Sequence, residues 1–214
     1  MPITVQTLRD AVARSHSRMA RLEDPLNAAD ALLGDGDTGS MLARVIEKMA
    51  ATDLSSTTDV GAAFNALARA TMSATGSSLG TLLATALLTF AKATKGRSEV
   101  PWSELSSLID QAIEAMKARG GASIGDKTIL DALQSIAQSL TGIDDASTAA
   151  LAAETGALNA LEHFKPLPCK IGRARLFPEK STGAHDPGML ALALLLEREE
   201  TLEGIPGYFP QTAS

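Results

Sequence analysis

Aromatic side chains are scarce: one Trp, one Tyr and five Phe make up only 3% of the 214 residues. A core with so few rings must be filled mainly by Ala and Leu, and because both are strong helix formers the composition predicts an all-α protein. Trp102 and Tyr208 stand too far apart to suggest stacking on bases or sugars. Cysteine is nearly absent. Cys169 has no partner for an internal disulfide and lies in a proline-rich stretch, Pro166 to Cys169, outside any CxxC pattern, so it reads as an inert thiol. Positive charge is also in deficit: a net charge of -6 and a pI near 5.1 exclude nucleic acid as an expected partner.

No apolar run approaches the roughly 18 residues a membrane span requires, and Met1 to Asp10 lacks a basic start followed by an apolar core. The expectation is a cytoplasmic protein without a membrane partner, folded as one domain over residues 1–214. A GxxxxGK[ST] phosphate loop is missing. His16, His163 and His185 share no spacing, and His16 points to a different helical face from its neighbours Ser15 and Ser17, so nucleophilic hydrolysis has no support. Acidity leaves one class of ligand open. A divalent metal reverses the local charge of a carboxylate site and lets it hold phosphate.

What is present is helical periodicity. Leu42, Val45, Ile46, Met49 and Ala50 fall on one helical face, as do Val60, Ala63, Phe64, Leu67 and Ala68, and then Leu105, Leu108, Ile109, Ala112 and Met116. Pro101 suits the first turn ahead of that third segment, with Ser103 as a nearby cap. Helices are also expected from about Val5 to Arg21, Ile129 to Leu140 and Thr148 to Phe164. Leu79 to Phe90 is apolar nearly all round, broken only by Thr81, Thr85 and Thr89, and is expected to be a central buried helix. Met189 to Leu196 reads as a buried helix that emerges into solvent at Glu197 to Glu200.

Glycine is concentrated at the ends of these segments, as though backbone there were held close to something. Asp30 precedes Gly34-Asp35-Gly36-Asp37-Thr38-Gly39-Ser40, placing three carboxylates within eight residues. Carboxylate oxygens are the ligands Mg²⁺ prefers beside phosphate and water, although a DGD turn also serves ordinary loops. Thr75-Gly76-Ser77-Ser78-Leu79-Gly80 opens the next buried segment with N–H groups and hydroxyls suited to phosphate, or simply with a serine cap. Gly120-Gly121-Ala122-Ser123-Ile124-Gly125-Asp126-Lys127-Thr128 leads into another helix, with Asp126 as a plausible cap and Lys127 as a solvated charge. Gly172-Arg173-Ala174-Arg175 precedes Ser181-Thr182-Gly183-Ala184-His185-Asp186-Pro187-Gly188, where Asp186 suits a cap, Pro187 a first turn, and Arg173 or Arg175 a phosphate.

These four segments, in this order and separated by whole helices, resemble the L-type domain of dihydroxyacetone kinases from about Asp30 to Leu196. The resemblance implies an up-and-down barrel of about eight antiparallel helices with a nucleotide at one end. It implies Asp30, Asp35 and Asp37 as ligands of magnesium, two ions in all, and ADP or ATP as the nucleotide. Thr38, Gly39, Ser40, Gly76, Ser77, Ser78, Gly121, Arg173, Asp186, Pro187 and Gly188 would surround that nucleotide. Two positions depart from the family pattern: Thr38 stands where His is usual in DGDHG, and Leu176 where an aromatic is usual. Thr38 can still donate a hydrogen bond to phosphate but cannot carry a proton near neutral pH.

By the same resemblance the chain is a phosphotransferase subunit that requires no base of its own, since phosphoryl transfer asks mainly for positioning and charge neutralisation. The keto-sugar would be held by a separate K-type subunit, and the phosphoryl group supplied by ATP or by a phosphotransferase-system protein. Relatives that act on other short keto-sugars or serve fatty-acyl phosphorylation leave the acceptor open, and a nucleotide-dependent regulatory subunit is the non-enzymatic alternative.

Overall fold

The computed structural model describes residues 1–198, and every regular element among them is helical. The order is α1 (Val5–Ala31), α2 (Thr38–Ala50), α3 (Val60–Ala74), α4 (Ser78–Ala93), α5 (Leu105–Gly120), α6 (Ile129–Ser139), α7 (Ala146–Phe164), the single turn α8 (Pro178–Ser181) and α9 (Pro187–Leu196). Short 3-10 turns stand at Trp102–Glu104 and Arg173–Leu176. Each long helix packs on the next, and α9 packs on both α7 and α1, so eight long helices close into a ring. This is the up-and-down arrangement that the family resemblance implies, with helices adjacent in sequence packed side by side.

Local chemistry explains most of the boundaries. Thr4, Asp59, Ser77, Thr128, Asp145 and Asp186 cap their helices, each accepting a hydrogen bond from a backbone N–H in the first turn. At α6 the cap is Thr128, reinforced by Asp131 in a capping box, and not Asp126, whose carboxylate accepts from Ser123 N–H at 2.8 Å instead. Ser103 lies inside its 3-10 turn and caps nothing. Helix α1 runs ten residues beyond the expected Arg21 and passes through Pro25. A proline there forfeits one backbone bond to the preceding turn. Its neighbours Leu22 and Leu26 are fully buried, and their packing holds the helix together.

Two further expectations are corrected. Helix α4 is one stave of the ring rather than a central rod: Leu88 is 40% exposed, and Leu79, Leu82 and Leu83 are half-buried. Its threonines at four-residue spacing donate to the carbonyls one turn earlier, at 2.8 to 2.9 Å, and so place no polar demand on their surroundings. The helix buried nearly all round is α9, with seven of ten residues inside, because it closes the ring and also meets α2 and α6. Glu197 does not emerge into solvent but is buried, and Arg198 beside it bonds Glu154 of α7 at 2.7 Å. The rest of that charged run, Glu199 and Glu200, and Tyr208 lie outside the described residues.

The main core joins α1, α2, α4 to α7 and α9. A second cluster gathers Ile3, Val5, Leu54, Val60, Leu67, Leu87 and Val100. There the Ile3 and Val100 backbones exchange two hydrogen bonds of 2.8 Å and tie the N-terminus to the α4–α5 connection.

Candidate functional site

In a ring of alternating helices every second connection lies at the same end. The four glycine-bearing segments are the connections α1–α2, α3–α4, α5–α6 and α7–α9, so the topology gathers all of them at one end of the barrel, with the N-termini of α2, α4, α6 and α9. Side-chain packing agrees: a β-carbon on Gly188 at the head of α9 would lie 3.5 Å from Leu79 of α4 and 3.7 Å from Ile129 of α6. Helix N-termini concentrate partial positive charge and unbonded N–H groups, and four of them facing one space favour an anion there.

The carboxylates meet at the junction of α1 and α2. One oxygen from each of Asp30, Asp35 and Asp37 lies within 4.8 Å of the others, with Asp30 buried and the other two exposed. Asp30 shapes the loop: its Oδ2 accepts from the N–H groups of Asp37 at 3.0 Å and Thr38 at 3.3 Å, and its other oxygen occupies the space a β-carbon on Gly34 would need. Gly36 makes the turn at φ +76°, a conformation that disfavours side chains. Asp37 is the N-cap residue of α2, yet its carboxylate makes no capping bond. The ordinary role of an aspartate in a DGD turn is therefore not filled here; Asp30 serves the α2 terminus from the neighbouring helix.

Arg173 comes to this cluster from the α7–α9 connection and forms an ion pair with Asp35. Its guanidinium holds the Asp35 carboxyl below the usual carboxylate range, chiefly through the hydrogen bond. Arg175 lies two residues further along the same 3-10 turn and is exposed. Gly39 and Ser40 face α1: a β-carbon on Gly39 would sit 2.1 Å from the Glu23 carbonyl, and Ser40 donates to Glu23 and accepts from Asn27 at 2.8 to 2.9 Å. Their geometry is that of a helix junction which fixes where Asp37 and Thr38 stand.

Ser77 is the α4 cap, bonding Gly80 N–H at 3.0 Å, and is itself held by Thr75. Ser78 and Gly76 are exposed beside it, and nothing lies within 4 Å of where a Gly76 β-carbon would be. Gly121 ends α5 in the left-handed conformation. Asp186 caps α9, and burial pushes its carboxyl up to about 6 against the opposing pull of the Met189 and Gly188 N–H groups. His185 is buried with its pKa lowered by that burial, and its Nε2 stands 3.9 Å from Glu162. The exposed His16 and His163 belong to α1 and α7 and are not among the residues gathered here.

The residue that sequence reasoning missed is Lys127. Read as a solvated charge, it is 1% exposed, and its ammonium bonds backbone carbonyls of the α7–α9 connection. Nothing in periodicity signals this, because the lysine lies in a loop and its partners are main-chain atoms about 40 to 60 residues away.

A family model described as the DAK2 domain matches residues 32–200. The chain belongs to the DAK2 domain family. Asp35, Asp37 and the other three segments lie inside the match, and Asp30 just ahead of it. Among the family's proteins, the chain is 30% identical to the Lactococcus lactis ADP-binding subunit DhaL of a PTS-dependent dihydroxyacetone kinase, over 91% of this chain and 96% of that subunit. It is 34% identical to a D-erythrulose kinase of Mycolicibacterium smegmatis, over 86% of this chain but 33% of that enzyme. The dihydroxyacetone kinase of C. freundii, solved with AMP-PNP and Mg²⁺, superposes with a TM-score of 0.67 and 25% identity, over 92% of this chain and 34% of that one. The chain thus spans a third of the longer kinases and nearly the whole of the DhaL subunit. No helix among the described residues is long and apolar enough to cross a membrane.

Proposed function

We propose that this chain is the nucleotide-binding, phosphoryl-donating unit of a dihydroxyacetone-type kinase, acting in the cytoplasm with a separate K-type subunit that holds the keto-sugar. One observation carries the reading: three carboxylates converge at the one barrel end that also collects four helix N-termini, and Asp37 is not spent on capping. Carboxylates beside an anion-favouring space form a donor set suited to Mg²⁺ shared with phosphate oxygens. Asp30, Asp35 and Asp37 would hold two magnesium ions, which when bound neutralise the charge of the transferring phosphoryl group.

The residues of the chain then divide the remaining work. Asp30 orders the 34–38 loop from inside. Thr38 and the first-turn N–H groups beside Gly76, Ser77 and Ser78 face the phosphates, and Arg173, held ready on Asp35, supplies a planar cation to them. Gly121 and the Asp186-Pro187-Gly188 turn border the rest of the nucleotide. Similarity to the L. lactis subunit supports ADP as the resident nucleotide with a phosphotransferase-system protein as phosphoryl source. Similarity to the mycobacterial kinase supports a four-carbon keto-sugar, and similarity to the C. freundii kinase solved with AMP-PNP supports ATP.

Calorimetric titration with ADP separates the site from its alternatives. Binding should require Mg²⁺ and vanish with EDTA, and Asp37→Asn should lower affinity at least about a hundredfold, near 3 kcal/mol, while leaving the helical circular dichroism unchanged. Equal ADP affinity in wild type and Asp37→Asn, with magnesium present, contradicts the assignment.

A further inference from the structure

The α7–α9 connection brings Arg173 and Asp186 to the site, but it has little of its own to pack with. Residues 172, 173 and 175–180 are all exposed, Leu176 and Phe177 among them. Much of what ties its ends down comes from another loop. Nζ of Lys127, in the α5–α6 turn, donates to the carbonyls of Lys165 at 3.1 Å, Leu167 at 2.6 Å, Ser181 at 2.7 Å and Ala184 at 2.7 Å. Two of these acceptors stand where the connection leaves α7 and two where it nears α9. Together with the 2.8 Å bond from the Gly183 N–H to the Lys165 carbonyl, one ammonium thus bridges both ends of the loop, with Arg173 between them. An ammonium has three N–H groups, so four converging carbonyls resemble the oxygen cage of a bound monovalent cation more than a set of one-to-one hydrogen bonds.

A second observation is independent of those bonds. Lys127 has φ +62° and is the only non-glycine with positive φ among the described residues. That conformation strains any residue bearing a β-carbon and costs glycine nothing. A buried lysine in that conformation marks a position at which the side chain is needed. Surrounding structure must over-determine strain of this kind, and such strain collects at sites. Ser181 completes the arrangement: its hydroxyl accepts from Cys169 N–H at 3.0 Å and donates to Pro178 O at 2.9 Å, closing the loop on itself just beside the ammonium.

We infer that Lys127 is a positioning residue of the nucleotide site, its ammonium acting as a built-in monovalent cation that clamps both ends of segment 165–184 and so sets Arg173 opposite Asp35 and Asp186 at the head of α9. The inference rests on the nucleotide reading above for its functional half; the clamp itself does not.

The test is Lys127→Gly, which removes the ammonium and also relieves the backbone at φ +62°. In choline buffer, amide hydrogen exchange across 165–184 should accelerate at least about tenfold while α2 to α4 keep wild-type rates. ADP affinity in the presence of magnesium should fall at least about tenfold. Ammonium ion at equal ionic strength should slow the exchange and recover the affinity, whereas tetramethylammonium, too large for the carbonyls, should not; a merely structural residue gives no such cation-specific rescue. Unchanged exchange in 165–184, wild-type affinity despite faster exchange, or equal effects of the two cations would each overturn the proposal. If Lys127→Gly does not fold, Lys127→Arg keeps the charge on a planar fork unable to converge on four carbonyls, and should show the same local acceleration. The exchange measurement needs no nucleotide. A wild-type chain that binds no Mg-ADP refutes the site reading, and unchanged exchange separately refutes the clamp.

Discussion

At the scale of single residues, the site is a set of acids given different work by their surroundings. Asp30 is buried and bonded to the loop, Asp35 is paired with Arg173, and Asp37 stands at a helix start without capping it. Asp186 does cap its helix, but in a place that disfavours its charge. Its carboxyl releases its proton only near about pH 6 when folded, against 3.8 for an ordinary aspartate. Between those values the native state binds more protons than the unfolded chain, so this group makes stability fall as pH rises through the window. Asparagine caps as well as aspartate and carries no charge. Asp186→Asn should therefore stabilise the nucleotide-free protein by roughly 1 to 3 kcal/mol above about pH 7, the lower figure allowing for partial solvent exposure, and the gain should disappear below about pH 4. Urea unfolding of both proteins across that pH range checks the sign. A gain that persists at low pH would mean the benefit lies in packing and not in charge.

At the scale of elements, the amphipathic helices α2, α3, α5, α6 and α7 were legible because apolar side chains recur at helical spacing and caps stand where needed. Failures came where burial overrides local chemistry. Helix α1 continues through Glu23-Asp24-Pro25 because tertiary packing of Leu22 and Leu26 offsets what propensity opposes. Apolar content alone could not tell which of α4 and α9 is enclosed, since neighbours and not composition decide that. The glycines were legible as a group, but their separate roles were not. Gly39 is a contact, 2.1 Å from the Glu23 carbonyl for any added β-carbon, whereas Gly76 has open space. Gly39→Ala should force α2 away from α1 and cost about 1 to 3 kcal/mol, with loss of magnesium-dependent ADP binding, because Asp37 and Thr38 move with the helix start. Gly76→Ala should leave the unfolding midpoint unchanged, and any loss of affinity it causes reports close approach of the nucleotide. Equal destabilisation by both would show that the Gly39 contact does not set the junction.

At the scale of the whole molecule, the order of four weak segments was more informative than any one of them, because a ring of alternating helices delivers every second connection to the same end. Convergence of the carboxylates was thus foreseeable, whereas the Arg173 to Asp35 pair and the Lys127 clamp were not: both depend on the path of a 22-residue connection with no periodic pattern. That connection also displays Leu176 and Phe177, 67% and 49% exposed, on the turn that carries Arg173, and Leu32, 63% exposed, stands at the end of α1 beside the same acids. Large apolar side chains gathered around a charged site mark a face that a partner covers. A donor site open at one end of a barrel also lacks the means to hold an acceptor in line, and alignment supplies much of the rate of a kinase. The chain should therefore give little turnover with Mg-ATP and dihydroxyacetone or erythrulose alone, and rapid turnover when a K-type subunit is added. Replacing Leu176 and Phe177 together by Asp should reduce the partner-dependent rate at least about tenfold at limiting partner, while calorimetry shows wild-type affinity for Mg-ADP, since neither side chain belongs to the carboxylate cluster. Full turnover without a partner would reveal an acceptor site within this chain. Full turnover by the double variant would place the docking face elsewhere.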